Sequence, residues 1–190
     1  MKKLVLASSS PRRQQILRDL GLDFVLASPV HFEELLVGLG PKELVCHNAL
    51  GKAREAAKEY KDAIIIGCDT VIVFGDEVLG KPLTPEKAKS ILTRLSGNYH
   101  SVVSGLGVIN TKTHREFVGY EETKVKFRNL AEKEIDDYIE SGEPLDKAGA
   151  YGIQERGGAF VEEIEGSFSS VVGLPKELLI KFLSELGIEV

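Results

Sequence analysis

IIIGCDTVIVFGDEVLGKP, residues 64–82, is the stretch whose parsing decides the fold. Its first three residues are β-branched, as expected of a buried strand. Asp69 interrupts the apolar run, and residues 71–74 resume it. Gly75 and Asp76 read as a tight hairpin turn, Val78 and Leu79 as the return strand, and Gly-Lys-Pro as its end. A carboxylate in so apolar a strand is costly unless a partner compensates it. Lys81, at the end of the return strand, is the first candidate for that partner. In α/β sheets ligands gather beyond the carboxyl ends of strands, so chemistry is sought here first.

Upstream, residues 4–7 read as a strand and Ser8-Ser9-Ser10 as a loop. Ser10 is placed to cap a helix that Pro11 opens. Ile16, Leu17 and Leu20 give that helix its apolar face, and Gly21 ends it. Arg12 and Arg13 sit in its first turn, where the helix dipole disfavours cations. Two readings stand: solvated surface arginines, or an anion held at the helix N-terminus by these cations, loop N–H groups and serine hydroxyls. Residues 24–27 form a second strand, followed by His31-Phe32-Glu33-Glu34, a carboxylate pair that by itself reads as solvated. Pro41 opens a helix to about Tyr60 with the stripe Val45, Ala49, Ala53, Ala56. Lys52 borders that stripe. Its ordinary expectation is to snorkel outward, and the alternative is an anionic partner inside.

Downstream, Thr84-Pro85 caps a helix with Ala88, Ile91, Leu92 and Leu95 inward, closing at Gly97. Residues 99–109 and 115–127 read as two long strands joined by a turn at 110–114, hence an antiparallel pair. A helix at 132–140 buries Ile135, Tyr138 and Ile139. A last one at 175–186 buries Leu178, Leu179, Phe182 and Leu186. Between these helices, GEPLDKAGAYGIQERGGAFVEEIEGSFSSVVGLP reads as a long connection. Such a connection is uncommon in a compact domain unless functional.

The totals bound the class. With 190 residues, 43% of them hydrophobic, the chain is long enough for one core, and one domain of residues 1–190 is expected. A net charge of -5, with no basic stripe interleaved with aromatics, counts against a nucleic-acid surface. The two cysteines, Cys46 and Cys68, make no CxxC pair, so neither a disulfide framework nor a zinc site is indicated. No apolar run approaches the roughly 18 residues of a membrane span. The N-terminus lacks a signal-peptide core, so a cytoplasmic location is expected.

Several familiar sites are excluded. There is no Walker A loop and no GxGxxG, and the histidines lack metal-ligand spacing. A haloacid-dehalogenase pattern needs an aspartate two residues after Asp69, where Val71 stands. Cys68 alternates with Asp69 along the strand and reads as core. What remains is a set of cations, Arg12, Arg13, Lys52, Lys81 and Lys147, against the carboxylates Glu33, Asp69, Glu143 and Asp146. Cations suit a polyphosphate, and carboxylates suit a divalent ion bridging its oxygens. Asp69 would serve either as base toward a metal-activated water or as metal ligand.

LASSSPRRQQIL (6–17), GCDTVIVFGDEVLGKP (67–82), LSGNYHSVVSG (95–105), SGEPLDKAGAYGIQ (141–154) and GSFSSVVGLP (166–175) resemble, in order and spacing, the Maf family of nucleoside triphosphate pyrophosphatases. The resemblance covers nearly the whole chain and matches least over residues 38–48. It implies an α/β fold related to the inosine triphosphate pyrophosphatases, with an elongated mixed β-sheet, flanking helices and two lobes around a cleft. It implies cleavage between the α and β phosphates, releasing a nucleoside monophosphate and pyrophosphate, with a divalent cation, Mg2+ or Mn2+. The family's catalytic aspartate falls on Asp69, and its phosphate-binding positions on Ser8, Ser10, Arg12 and Arg13. Its other polar cleft residues fall on Glu33, Lys52 and Lys81. By this resemblance Glu33 and Asp69 are the metal ligands, and Lys81 becomes a phosphate ligand rather than the partner of Asp69.

Arg12, Thr70 and Gln154 look like the branch that prefers dTTP and UTP over 7-methyl-GTP, and the Gln154 amide suits a pyrimidine edge. The resemblance further implies removal of dTTP, UTP or modified pyrimidine nucleotides from the pool, a homodimer as is common in the family, and an association with inhibition of septum formation. The competing expectations are a 7-methyl-GTP or inosine-type pyrophosphatase, and a non-catalytic nucleotide- or nucleic-acid-binding regulator of division.

Overall fold

A computed structural model describes residues 3–27 and 38–190. The elements are β1 (Lys3–Leu6), α1 (Pro11–Asp19), β2 (Phe24–Leu26), α2 (Pro41–Ala57), β3 (Ala63–Phe74), β4 (Glu77–Leu79), α3 (Pro85–Leu95), β5 (Tyr99–Asn110), β6 (Arg115–Phe127), α4 (Glu132–Glu140), β7 (Val161–Glu165), α5 (Phe168–Val172) and α6 (Lys176–Glu185). Among the described residues, seven strands form one sheet in the order β2-β1-β3-β5-β6-β7, with β4 paired to β3. β1 lies parallel to β2 and to β3, whereas β4 is antiparallel to β3 and β7 antiparallel to β6. The sheet is therefore mixed, with helices interleaved along the chain, as the α/β expectation requires.

The two apolar runs of residues 64–74 join into a single strand that passes through Asp69 without a break. Gly75 and Asp76 make the turn into β4, with Ile72 opposite Leu79 and Phe74 opposite Glu77. Thr84 caps α3 as expected, its hydroxyl accepting from the Lys87 N–H. Ser10 departs from expectation. Among the described residues its side chain makes no capping bond, and its N–H instead donates to Ser8 Oγ at 3.3 Å. Helix α2 stops at Ala57, short of Tyr60. Residues 142–175 are not one loop: they contain three short 3-10 turns, strand β7 and helix α5. A five-residue edge strand, VEEIE, with only two partly buried apolar positions is a weak signal among so many glycines.

The chain divides into two compact units, Met1–Asp69 with Ser104–Glu121 and Gly173–Val190, and Thr70–Val103 with Glu122–Val172. In the first, Val5, Ala7, Ile65 and Ile109 pack against Ala53 and Ala56 of α2. The close seat of α2 on the sheet depends on glycine. A methyl group on Gly67 of β3 would run into the Ala49 carbonyl oxygen, and one on Gly105 of β5 into the Val45 carbonyl. Side chains alternate along a strand, so Gly67 and Asp69 face the helix together while Cys68 faces away.

The core of the second unit gathers Ile72, Leu92, Leu95, Val125, Phe127, Tyr138, Tyr151 and Phe160. Its aromatic rings meet edge to face, Phe127 against Tyr151 at 4.8 Å and Tyr138 against Phe160 at 4.9 Å, a geometry favoured by their quadrupoles. This core orders the glycine-rich segment. Glu143 Oε1 accepts from Tyr138 Oη at 2.7 Å and from the Gly157 N–H at 3.2 Å. The Leu83 N–H donates to Leu145 O, and the Gly149 N–H to Gly80 O, so residues 80–83 are tied to residues 145–149.

Candidate active site

Asp69 is 7% exposed, and its charge is compensated from one face of α2. Lys52 Nζ lies 2.8 Å from Oδ1, and Asn48 Nδ2 donates to Oδ2 at 3.1 Å. Asn48 and Lys52 are four residues apart, so they stand one above the other on the helix. Lys52 thus takes the inward alternative rather than the snorkelling one. It, not Lys81, is the ion-pair partner of Asp69. Asn48 was not singled out in the sequence, although a signal exists: an amide one turn before Lys52, next to Ala49 in the buried stripe.

The first turn of α1 supplies the second feature of the same unit. The Ala7 N–H donates to Ile66 O at 2.8 Å, so the loop that begins at Ser8 leaves the sheet beside the level at which β3 continues to Asp69. Arg13 Nη1 donates to Ser8 Oγ at 3.0 Å, and Arg13 Nε to Gly173 O at 2.8 Å. Arg12 and Ser10 are half-buried. No acidic residue occupies the first turn of this nine-residue helix, and its N–H groups, two guanidinium groups and neighbouring serines are donors suited to an anion. Burial pushes the Cys68 thiol up, with opposing pulls from Arg13 and Lys52. Those charges therefore act around the same point of β3, and the thiol is a core group, as expected.

The remaining expected residues belong to the second unit. Thr70 follows Asp69 on β3 and is half-buried, while Lys81 and Gln154 are exposed. Lys81 follows β4 and helps line a groove of about 210 Å³ with Gly80, Lys87 and Ser90. Gln154 lies on the segment held by Glu143. Lys147 is drawn into that segment, donating to the Glu143 carbonyl at 2.9 Å and pairing with Asp146 at 3.0 Å and Glu155 at 3.2 Å. The Lys147 bond holds the Asp146 carboxyl below its usual range.

Glu33, the other expected metal ligand, lies outside the described residues. Among the described residues, no three His, Cys, Asp or Glu side chains gather into a metal-binding cluster. A Mg2+-type ion does not require one, because it takes one or two carboxylates and completes its shell with water and substrate phosphates. Asp69 fits that role, since each oxygen of a carboxylate keeps accepting capacity beyond the single bond made here.

The Maf-like protein family matches this chain over residues 3–186. The chain belongs to that family. A Dictyoglomus thermophilum protein named dTTP/UTP pyrophosphatase is 46% identical over 190 residues, covering 98% of this chain and 97% of that protein. Proteins of the same name from a Geobacillus species and from Methanosarcina mazei are 46% and 43% identical, covering 98% and 100% of this chain and 100% and 97% of their own. Among solved structures, the Staphylococcus aureus Ham1 protein is a distant likeness, 16% identical with a TM-score of 0.47 over 66% of this chain and 72% of that one. The five motifs thus led to the right family.

Proposed function

We propose that this Maf-like protein is a nucleoside triphosphate pyrophosphatase that hydrolyses dTTP and UTP to the monophosphate and pyrophosphate. The observation that carries the chemistry is Asp69, a buried carboxylate held by Lys52 and Asn48 in the unit that also carries the cationic start of α1. The choice of nucleotide rests on the names of the relatives, which match over the full length at 43–46% identity.

In this reading Ser8, Ser10, Arg12 and Arg13 bind the phosphate chain, with Lys52 and Lys81 as further phosphate ligands. Charge-assisted bonds from arginine suit phosphate oxygens, and donors fixed before substrate arrives need no reorganisation in the transition state. Asp69 orients the water that attacks the α-phosphorus, and pyrophosphate leaves. Asp69 and Glu33 are the proposed ligands of Mg2+ or Mn2+. When bound, that ion neutralises phosphate charge and makes water more acidic. Arg12, Thr70 and Gln154 are the proposed determinants of base preference. We assign the whole of residues 1–190 to one catalytic domain that clears pyrimidine nucleotides from the pool. Among the described residues, no helix is long and apolar enough to cross a membrane.

The test is pyrophosphate release from a panel of dTTP, UTP, 7-methyl-GTP and ITP with Mg2+ or Mn2+, for wild type and Asp69→Asn. The expected result is turnover of dTTP and UTP that Asp69→Asn abolishes. Preferential turnover of 7-methyl-GTP or ITP overturns the substrate assignment. Nucleotide binding without pyrophosphate release under any metal overturns the enzymatic one.

A further inference from the structure

We infer that Asn48 is a positioning residue for Asp69, fixing the plane of its carboxylate. This rests on the catalytic reading of Asp69. The χ2 torsion of an aspartate is broad and nearly two-fold, so one contact does not define where both oxygens point. Lys52 supplies one contact, to Oδ1, from a long stem with a freely rotating ammonium group. Asn48 supplies the other, to Oδ2, from a short side chain on the same helical face. With both oxygens held, rotation about Cβ–Cγ would break one bond or the other. The remaining acceptor directions of the carboxylate are then set before substrate arrives, which is what orientation of a reacting group requires.

The fold is built to let so short a side chain reach. Asn48 is 1% exposed, and the next helical residue, Ala49, is fully buried. Gly67 and Gly105 bring the α2 backbone against the sheet, and Asp69 shares the Gly67 face of β3. An aliphatic side chain at this position leaves the carboxylate one donor short. The bland alternative is a buried amide that merely satisfies its own hydrogen bonds, which would matter for stability and not for turnover.

The experiment separates these. Asn48→Leu, branched at Cγ like asparagine but larger and without a donor, and Asn48→Ser, which is shorter, are assayed for pyrophosphate release from dTTP well below their melting temperatures. The expected result is a kcat lowered about 10- to 100-fold, the usual size of the effect when a partner that orients a reacting group is removed, with KM for dTTP within about twofold because no substrate contact is lost. If Asn48→Leu does not fold, Asn48→Ser carries the same criteria. A folded variant with wild-type kcat and only a lower melting temperature overturns the inference, as does a rise in KM at constant kcat. Full activity in Asp69→Asn overturns the catalytic reading and this inference together. Loss of activity in Asp69→Asn with wild-type kcat in the Asn48 variants overturns the inference alone.

Discussion

Arg13 Nε donates to the carbonyl oxygen of Gly173 at 2.8 Å, across a separation of 160 residues in the chain. The same guanidinium holds Ser8 Oγ at 3.0 Å through Nη1. One side chain thus joins the loop after β1, the first turn of α1 and the start of the C-terminal segment.

Keeping the charge of Arg13 should therefore not keep its function. Lysine lacks the planar fork that serves two acceptors at once. Arg13→Lys is expected to lower kcat/KM for dTTP by about tenfold or more, and a steady-state titration of dTTP checks this. Unchanged kinetics would mean that only the charge matters.

Lys52 should be necessary for stability as well as for chemistry. The Lys52 and Asp69 side chains are 15% and 10% exposed. Removing one partner leaves a nearly buried charge, at a cost of about 3–5 kcal/mol. Lys52→Met is expected near the lower bound, because Asn48 still bonds the carboxylate. Lys52→Met combined with Asp69→Leu should recover most of the loss. Urea denaturation of the wild type and the two variants decides it.

His100 should make the fold sensitive to acid. It is 3% exposed, its Nε2 lies 2.8 Å from Tyr151 Oη, and Phe127 stands edge-on at 5.0 Å. Among the described residues Nδ1 has no hydrogen-bond partner. Burial pushes the imidazole down from 6.5 to about 4. Between those values the unfolded chain binds a proton that the folded chain does not, so stability falls as pH is lowered through this window and is retained above it. The expected loss between about pH 7.5 and about pH 5 is on the order of 2 kcal/mol. Urea midpoints at the two pH values measure it, and His100→Gln should remove most of the dependence.

The seat of α2 should tolerate no added methyl group. Gly105→Ala places one against the Val45 backbone, and overpacking of this kind costs about 1–3 kcal/mol. Because the same displacement carries Asn48 and Lys52 away from Asp69, activity should fall further than stability does. Melting temperature and kcat, measured together, show whether the two losses separate.

Much of this was legible in the residues. Residues 64–82 gave strand, turn and return strand correctly because β-branched runs and Gly-Asp are local signals. Thr84 as a cap and Gly97 after α3 were equally local. The partner of Asp69 was not. Lys81 is near in sequence and ends the expected return strand, whereas Lys52 reaches Asp69 only because α2 lies flat on β3. That approach depends on Gly67 and Gly105, whose meaning appears only when helix and sheet are brought together. Asn48 was overlooked for the same reason: a polar residue beside alanines shows its role only through the carboxylate it meets. Strand β7 stayed hidden because its pairing with β6, not its own composition, makes it a strand.

Cys68 occupies the position between Gly67 and Asp69 yet looks into the opposite side of the sheet. Its burial is complete, and its thiol is pushed up from the ordinary value of 9.0, so the reactive thiolate is scarce at neutral pH. Oxidants and alkylating agents act on an accessible thiolate. The proposed catalytic carboxylate thus sits one peptide bond from a sulfur that such agents do not reach. Peroxide or iodoacetamide should therefore leave Cys68 unmodified as long as the protein stays folded, and any modification should fall on the half-buried Cys46.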